Sequence, residues 1–162
     1  MTDGEANVPA HFTRETTIRR DALGRWFHDG ALVENPQVKK AFDRWIDRAE
    51  DGRYCLKNEV NWAYVEIEGP PLFVNDVQLG EGGAVWLLLS DERREKLDPA
   101  TLSMDGDGIL HCRARDGTFE AKFTSTASFR LEPLLGEDDE GLFLEIEGKR
   151  VRPTERAADP LT

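Results

Sequence analysis

The sequence predicts an α+β protein made of two tandem, diverged copies of one hairpin-helix-strands motif. One segment, residues 36–49, carries apolar residues at the three- and four-residue spacing of an amphipathic helix. Most other apolar segments are short and end at Gly or Pro, as β-strands do. One order of features occurs twice along the chain: a strand, an Asp-Gly turn, a strand, the position of a helix (the helix slot), a glycine and further strands. This repeat indicates a diverged duplication.

The helix prediction depends on its start and on its apolar stripe. Asn35 followed by Pro36 supplies an N-cap and a first-turn proline. Asp51-Gly52 is the expected stop. The apolar stripe consists of Val38, Ala41, Phe42, Trp45, Ile46 and Ala49. We therefore expect Phe42, Trp45 and Ile46 to pack into the core.

Short strands are predicted on both sides of this helix. Asp29-Gly30 is typical of a two-residue hairpin turn and joins the strands that precede the helix. Gly69-Pro70-Pro71 interrupts the strands that follow it. The predicted strands of the first part are 16–20, 25–33, 53–57, 60–68, 72–79 and 84–89, and those near the C-terminus are 142–147 and 150–152.

The most regular pattern in the chain is a hairpin around Asp116-Gly117. Counting outward from the turn pairs Arg115 with Thr118, Ala114 with Phe119, Arg113 with Glu120, Cys112 with Ala121, His111 with Lys122 and Leu110 with Phe123. This register puts the apolar pairs on one face and the polar pairs on the other. A slip of one residue would destroy the separation, so the pattern predicts the register as well as the strands.

The duplication predicts two modules and two terminal segments. These are a flexible N-terminal arm (1–12), an N-terminal α+β module (13–80), a mainly-β C-terminal module (81–153) and a C-terminal tail (154–162). In the second copy, residues 125–135 occupy the helix slot, with Ser125 as the cap. Alternation of Ala127, Phe129 and Leu131 also fits a strand, and Pro133 would break a helix, so both structures stay open for this segment.

Several motifs resemble one bacterial family, domain of unknown function 1285. They are G-R-W-F-H-D-G (24–30), the helix that contains Phe42 and ends near Arg48, E-D-G-R-Y-C-L (50–56) and R-D-G-T-F-E-A-K-F (115–123). The resemblance covers residues 14–153 and departs from the family pattern at 57–59 and at Pro133. It implies repeated α+β motifs, a C-terminal half like a pleckstrin-homology domain, and a ligand or protein site between the halves.

Composition and charge narrow the classes of function. The formal net charge of -11 repels polyanions and argues against nucleic acid and anionic membranes as partners. No segment approaches the run of about 20 apolar residues that a membrane span needs. Residues 1–12 lack the features of a secretory signal, and Cys55 and Cys112 lack the spacing of a disulfide framework or metal site. We therefore expect a cytoplasmic protein with reduced thiols, and a single disulfide between the two cysteines is the alternative.

Motifs for catalysis, metals and cofactors are not found in the sequence. His11, His28 and His111 are scattered, and neither cysteine has a neighbouring ligand, so no metal is predicted. The run 105–108 is too short for a calcium loop and is expected to be a hairpin turn. The glycine-rich run 80–83 precedes a strand rather than a helix, so it predicts a turn and no phosphate-binding cofactor. No nucleophile motif is present, and no catalytic residue is assigned.

Two groups of residues are candidates for binding a partner. The polar hairpin face carries the cationic or titratable side chains His111, Arg113, Arg115 and Lys122, with the single acid Glu120. Such a face would attract an acidic peptide or an anionic small ligand. Trp26, expected to be partly exposed on a meander strand, and the neighbouring His28 form the second group. The alternatives are a solvated sheet face with Arg113 paired to Glu120, and aromatic side chains packed in the core.

These observations favour a non-catalytic binding protein of the adaptor or signalling type. Its expected partner is a protein or an anionic small ligand, bound at the hairpin face or at the junction of the two modules. The alternative is a small enzyme whose catalytic groups converge at that junction. The sequence does not indicate an oligomeric state.

Overall fold

The computed structural model describes residues 13–156, so the predicted arm 1–12 and the end of the predicted tail, 157–162, lie outside the described residues. The chain divides into two compact units that meet in sequence between Gly69 and Pro70. Both units mix helix and strand, which confirms the predicted α+β class. Within the described residues, no helix has the length and apolar character needed to cross a membrane.

From residue 13 onward, the first unit contains two small sheets and one helix. One sheet has the order β3-β2-β1-β7, with β1 parallel to β7 and the other pairs antiparallel. The other is the antiparallel meander β4-β5-β6. The elements are β1 (Arg19–Arg20), β2 (Trp26–His28), β3 (Ala31–Leu32), α1 (Pro36–Trp45), β4 (Ile46–Arg48), β5 (Tyr54–Lys57), β6 (Trp62–Tyr64) and β7 (Glu66–Ile67).

Helix α1 begins as predicted and ends earlier. The Asn35 side chain accepts hydrogen bonds from the amides of Gln37 and Val38, which satisfies two otherwise unpaired donors. After Trp45 the chain becomes extended, because Ile46–Arg48 pairs with β5 and buries Ile46 at 1% exposure. The predicted end at residue 49 is therefore wrong, and Gly52 lies in the turn of the β4–β5 hairpin, where its amide donates to the Ala49 carbonyl at 2.9 Å.

The core of this unit is centred on Trp26 rather than on Trp45. Trp26 is 0% exposed, whereas no residue of α1 is fully buried and Trp45 is half-buried. The Trp26 ring packs edge-on against Phe42, with 5.2 Å between ring centroids. Of the two alternatives for Trp26, the structure shows packing in the core and not partial exposure. Strand alternation alone does not show which face of a short strand a helix will cover.

The second unit contains a seven-stranded sheet and a three-stranded meander. The large sheet has the order β10-β9-β8-β13-β12-β11-β17, with parallel pairs β8–β13 and β11–β17. The meander has the order β14-β15-β16. The elements are β8 (Leu72–Leu79), β9 (Val85–Leu89), β10 (Arg94–Lys96), β11 (Ser103–Met104), β12 (Leu110–Ala114), β13 (Phe119–Phe123), α2 (Ser125–Arg130), β14 (Leu135–Asp138), β15 (Gly141–Ile146), β16 (Lys149–Val151) and β17 (Thr154–Glu155).

Two segments belong to this sheet although the sequence places them elsewhere. Strand β8, inside the predicted N-terminal module, pairs with β9 and β13 of the second unit. Strand β17, inside the predicted tail, pairs with β11, and the Thr154 amide donates to the Leu102 carbonyl. The β8–β13 and β11–β17 pairings join residues far apart in the chain, which local sequence patterns do not encode.

The segment 125–135 is a helix followed by a 3-10 turn. Thr124, rather than Ser125, is the N-cap, and its hydroxyl accepts from the Ala127 amide at 3.2 Å. Pro133 lies beyond the helix, in the turn Glu132–Leu134. The order hairpin, helix, three-stranded meander is present in each unit. Duplication from one ancestral copy and the pleckstrin-homology-like character of the second half stay predictions.

Candidate functional site

The predicted β12–β13 hairpin has the predicted register over its paired residues. His111 faces Lys122, Cys112 faces Ala121, Arg113 faces Glu120 and Ala114 faces Phe119. The ladder stops there, since Arg115, Asp116 and Gly117 have φ values of 51°, 58° and 79° and form the turn. Arg115 therefore lies in the turn rather than on the polar face, and its side chain does not follow the strand alternation.

Arg115 forms a buried ion pair. Its Nη2 lies 2.7 Å and its Nε 2.9 Å from Oδ2 of Asp91, and the two side chains are 8% and 0% exposed. The guanidinium also lies over the Phe119 ring, 4.6 Å from the centroid. The expectation that Arg115 is a free surface cation is wrong, because a buried carboxylate already neutralises it.

His111 is also internal, with 4% exposure. Its Nε2 lies 2.9 Å from Oδ2 of Asp105. Asp105 begins the turn predicted for residues 105–108, and its Oδ1 accepts from the amides of Asp107 and Ile109. Burial lowers the pKa of His111, the Asp105 carboxylate opposes that change, and the charge of Arg156 lowers the pKa further. The folded protein therefore favours the neutral imidazole.

The position of His111 predicts a loss of stability in weak acid. The unfolded chain takes up a proton near the ordinary His pKa of 6.5, whereas the folded chain resists protonation. The contribution of His111 to the free energy of unfolding is therefore complete above that pH. It is lost as the pH drops from the pKa of the unfolded chain towards the lower pKa of the folded chain. The melting temperature should fall less between about pH 7 and pH 5 for His111→Gln than for wild type. His28→Gln, at an exposed histidine, is the control, and equal declines in wild type and His111→Gln would contradict the assignment.

The remaining charges of the hairpin face are partly neutralised. Glu120 forms an ion pair with Arg156 next to the end of β17. Arg113 is exposed, and its Nε donates to the Gly117 carbonyl at 2.8 Å. Lys122 is half-buried. Arg113 is thus exposed, whereas His111 is buried and Lys122 is half-buried. Binding of a partner by this face stays a prediction.

The second predicted group separates into a core residue and a surface residue. Trp26 is buried, and its Nε1 donates to Oδ1 of Asp43 at 2.9 Å. His28 is exposed, with its Nε2 3.7 Å from Oδ2 of Asp29. The buried indole cannot contact a ligand at the surface. The site between modules that the family resemblance implies stays a prediction.

The second unit has an apolar groove between β8 and α2 that the sequence does not single out. Its volume is about 540 Å³, and its lining residues are Val77, Leu79, Phe129, Arg130, Glu132 and Pro133. The Phe129 side chain is 70% exposed and Leu79 is 47% exposed. Arg130 Nε donates to Oδ1 of Asp76 at 2.9 Å beside the groove. We call these six lining residues the β8–α2 groove.

The sequence of residues 125–135 contains a pattern that indicates this groove. Ala127 and Leu131 are separated by four residues and are both buried, at 0% and 1% exposure. A helix with that buried stripe places Phe129 on the opposite side. Once the segment is recognised as helical, its aromatic side chain is therefore expected at the surface.

The first unit also has a groove at its surface. It has a volume of about 610 Å³ and is lined by Trp45, Asp47, Lys57, Asn58, Glu59 and Val60. The Asn58 side chain accepts from the amides of Val60 and Asn61, which holds the turn that exposes Val60 at 83%. Trp45 therefore forms part of a surface groove as well as contacting the core.

The cysteines are structural in the described residues. Cys55 and Cys112 are free and buried, and burial raises the pKa of Cys55 to about 11 and that of Cys112 to about 12. Thiols with such pKa values are almost wholly protonated near neutral pH and are poor nucleophiles. Among residues 13–156, no group of three or more His, Cys, Asp or Glu side chains is arranged to hold a metal ion.

Comparisons with known proteins place this α+β arrangement in a known fold. No family model matches the chain, and no curated protein does. A DUF1285 family protein from Silicibacter pomeroyi DSS-3 is similar in structure, with a TM-score of 0.64 and 17% identity over 84% of this chain and 79% of that chain. A DUF1285 family protein from Shewanella baltica OS155 gives a TM-score of 0.57 and 17% identity over 75% and 94%. The chain therefore has the fold of DUF1285 family proteins, which confirms the resemblance at the level of the fold.

Proposed function

We propose that this chain is a non-catalytic binding protein of the adaptor type, and that its partner is another protein held at the β8–α2 groove. The exposure of Phe129 carries the proposal. An aromatic side chain that is 70% exposed beside an exposed Leu79 forms an apolar patch of the kind that marks interaction surfaces. Of the cationic side chains predicted for the hairpin face, Arg115 is paired with Asp91 and Lys122 is half-buried, so Arg113 is left as the exposed one. A protein partner is therefore favoured over an anionic small ligand.

The groove can contribute substantially to binding. Complete burial of a Phe side chain is worth about 1.5–3 kcal/mol, and most of the Phe129 side chain is available for burial by a partner. The nearby charges are partly satisfied, because Arg130 pairs with Asp76. A partner that covers Phe129 therefore meets a paired guanidinium at Arg130 rather than an isolated charge.

Phe129→Ser is expected to lower the affinity for the partner about tenfold, because the variant loses about 1.4 kcal/mol of free energy from apolar burial. The partner is first trapped from native lysate through a photo-crosslinking phenylalanine derivative at position 129, then purified and titrated by calorimetry. Leu23→Ser is the matched control, since Leu23 is similarly exposed at 76% and lies in the first unit.

The proposal holds if the purified partner binds wild type and Leu23→Ser equally and binds Phe129→Ser at least several-fold more weakly. Equal affinity for wild type and Phe129→Ser, with loss of binding in Arg113→Glu, would instead make the hairpin face the site. A failure of every crosslink from position 129 would also overturn the assignment of the groove.

A further inference from the structure

Strand β8 has a neighbour on both sides near its start but a neighbour on only one side near its end. Strand β9 pairs with β8 from Val74 to Leu79, whereas β13 pairs only with residues 72–74. The chain leaves the sheet after β13, where the Thr124 amide donates to the Val74 carbonyl and the Thr124 hydroxyl donates to the Asn75 carbonyl. Residues 76–79 therefore have one edge to which no strand of the described chain is paired.

The backbone direction along this edge follows from the β8–β9 ladder. The Gly80 amide donates to the Ala84 carbonyl at 2.8 Å, so Gly80 faces β9. Residues of an antiparallel strand alternate in facing a given neighbour, so Gln78 also faces β9, whereas Val77 and Leu79 face the open edge. The Val77 amide already donates to Oδ1 of Asp76 at 2.8 Å. The Val77 carbonyl and both backbone groups of Leu79 are then directed to the side where a further strand would pair.

The apolar groove lies beside the same residues. Val77 and Leu79 share one face of β8 and line the groove together with Phe129 and Pro133. An extended chain along the open edge would place every second side chain on that face. One such side chain would lie over Leu79 and against Phe129, which joins backbone pairing and apolar burial in one site.

We infer that the partner binds as an extended peptide that adds a strand to the open edge at residues 76–79 and inserts an apolar side chain into the β8–α2 groove. This inference rests on the proposed function and specifies the form of its partner. Main-chain hydrogen bonds supply affinity in such strand addition, and the side-chain pocket supplies specificity. Arg130 neutralises Asp76, so exposed Glu132 and the net charge of -11 favour a peptide with a basic flanking residue.

The first experiment tests the hydrogen-bond pattern of the peptide. Peptides are enriched from a random display library on the wild-type full chain and counter-selected on Phe129→Ser. The best synthetic peptide is then N-methylated at one residue at a time. Methylation at alternate residues is expected to weaken binding roughly fivefold per lost bond, while methylation at the intervening residues leaves affinity unchanged. Equal effects at neighbouring positions, or no effect at any position, would overturn strand addition.

The second experiment removes the donor from the protein. Leu79→Pro lacks the amide that faces the open edge and keeps the β8–β9 ladder, because proline is tolerated where its nitrogen faces away from the paired neighbour. Leu79→Ala keeps the amide and loses the same apolar side chain, so it is the matched control. The peptide should bind Leu79→Pro several-fold more weakly than Leu79→Ala, and equal affinities would contradict the inference.

These results separate the two proposals. A peptide that depends on Phe129 but shows no alternation on methylation leaves the groove as a protein-binding site and excludes strand addition. Failure to enrich any Phe129-dependent peptide also overturns strand addition. The proposed function is then still decided by the calorimetric titration of the partner that was crosslinked and purified. If Leu79→Pro does not fold, the methylation series on the wild-type chain gives the decision.

Discussion

Trp26→Ala is expected to lower the free energy of unfolding by about 3–5 kcal/mol, the cost typical of truncating a buried tryptophan. The indole is 0% exposed and packs edge-on against Phe42. Truncation would leave a large cavity and also remove the hydrogen bond from Trp26 Nε1 to Asp43. Urea denaturation followed by circular dichroism measures the loss.

The matched control is Trp45→Ala, which removes the same atoms from a half-buried position. Trp45 contacts Phe42 at a centroid distance of 6.3 Å and lines a surface groove. We expect its truncation to cost clearly less than that of Trp26, because part of the ring is already in water. A larger cost for Trp45→Ala than for Trp26→Ala would show that the helix stripe, rather than strand β2, centres the core.

Asp91→Ala is expected to cost about 3–5 kcal/mol, because it leaves the buried guanidinium of Arg115 without its carboxylate. Both side chains of the pair are nearly inaccessible, at 8% and 0% exposure. The substitution also removes the hydrogen bond from the Arg93 amide to Asp91 Oδ1. Denaturation in urea at neutral pH gives the difference from wild type.

Two further variants identify the cause of that loss. Arg93→Ala removes a cation 3.5 Å from the same carboxylate, but this side chain is 59% exposed, so the expected cost is below about 1 kcal/mol. The double substitution Asp91→Leu with Arg115→Met removes both charges and should be more stable than Asp91→Ala. If the double variant is no more stable, unpaired charge is not the source of the loss.

Local sequence determined the start of the helix and the register of the hairpin. Asn35 caps α1 through amides two and three residues away, so the whole interaction lies within one short segment. The register of β12 and β13 follows from the turn between them and from apolar alternation on both strands. Resemblance to a known family likewise identified the fold, because its motifs are local patterns of aromatic residues and Asp-Gly turns.

Tertiary structure decided which residues are buried, which charges are paired and where each strand pairing stops. The acid that neutralises Arg115 lies 24 residues before it in the chain, and no periodic pattern names such a partner. Helix α1 ends at Trp45 because Ile46–Arg48 gains a strand neighbour, β5. The pairing of β13 with β8 stops at Val74 because the chain turns into α2 after Phe123. Sequence patterns thus set the local conformations, whereas burial and pairing depend on elements that meet only in the folded chain.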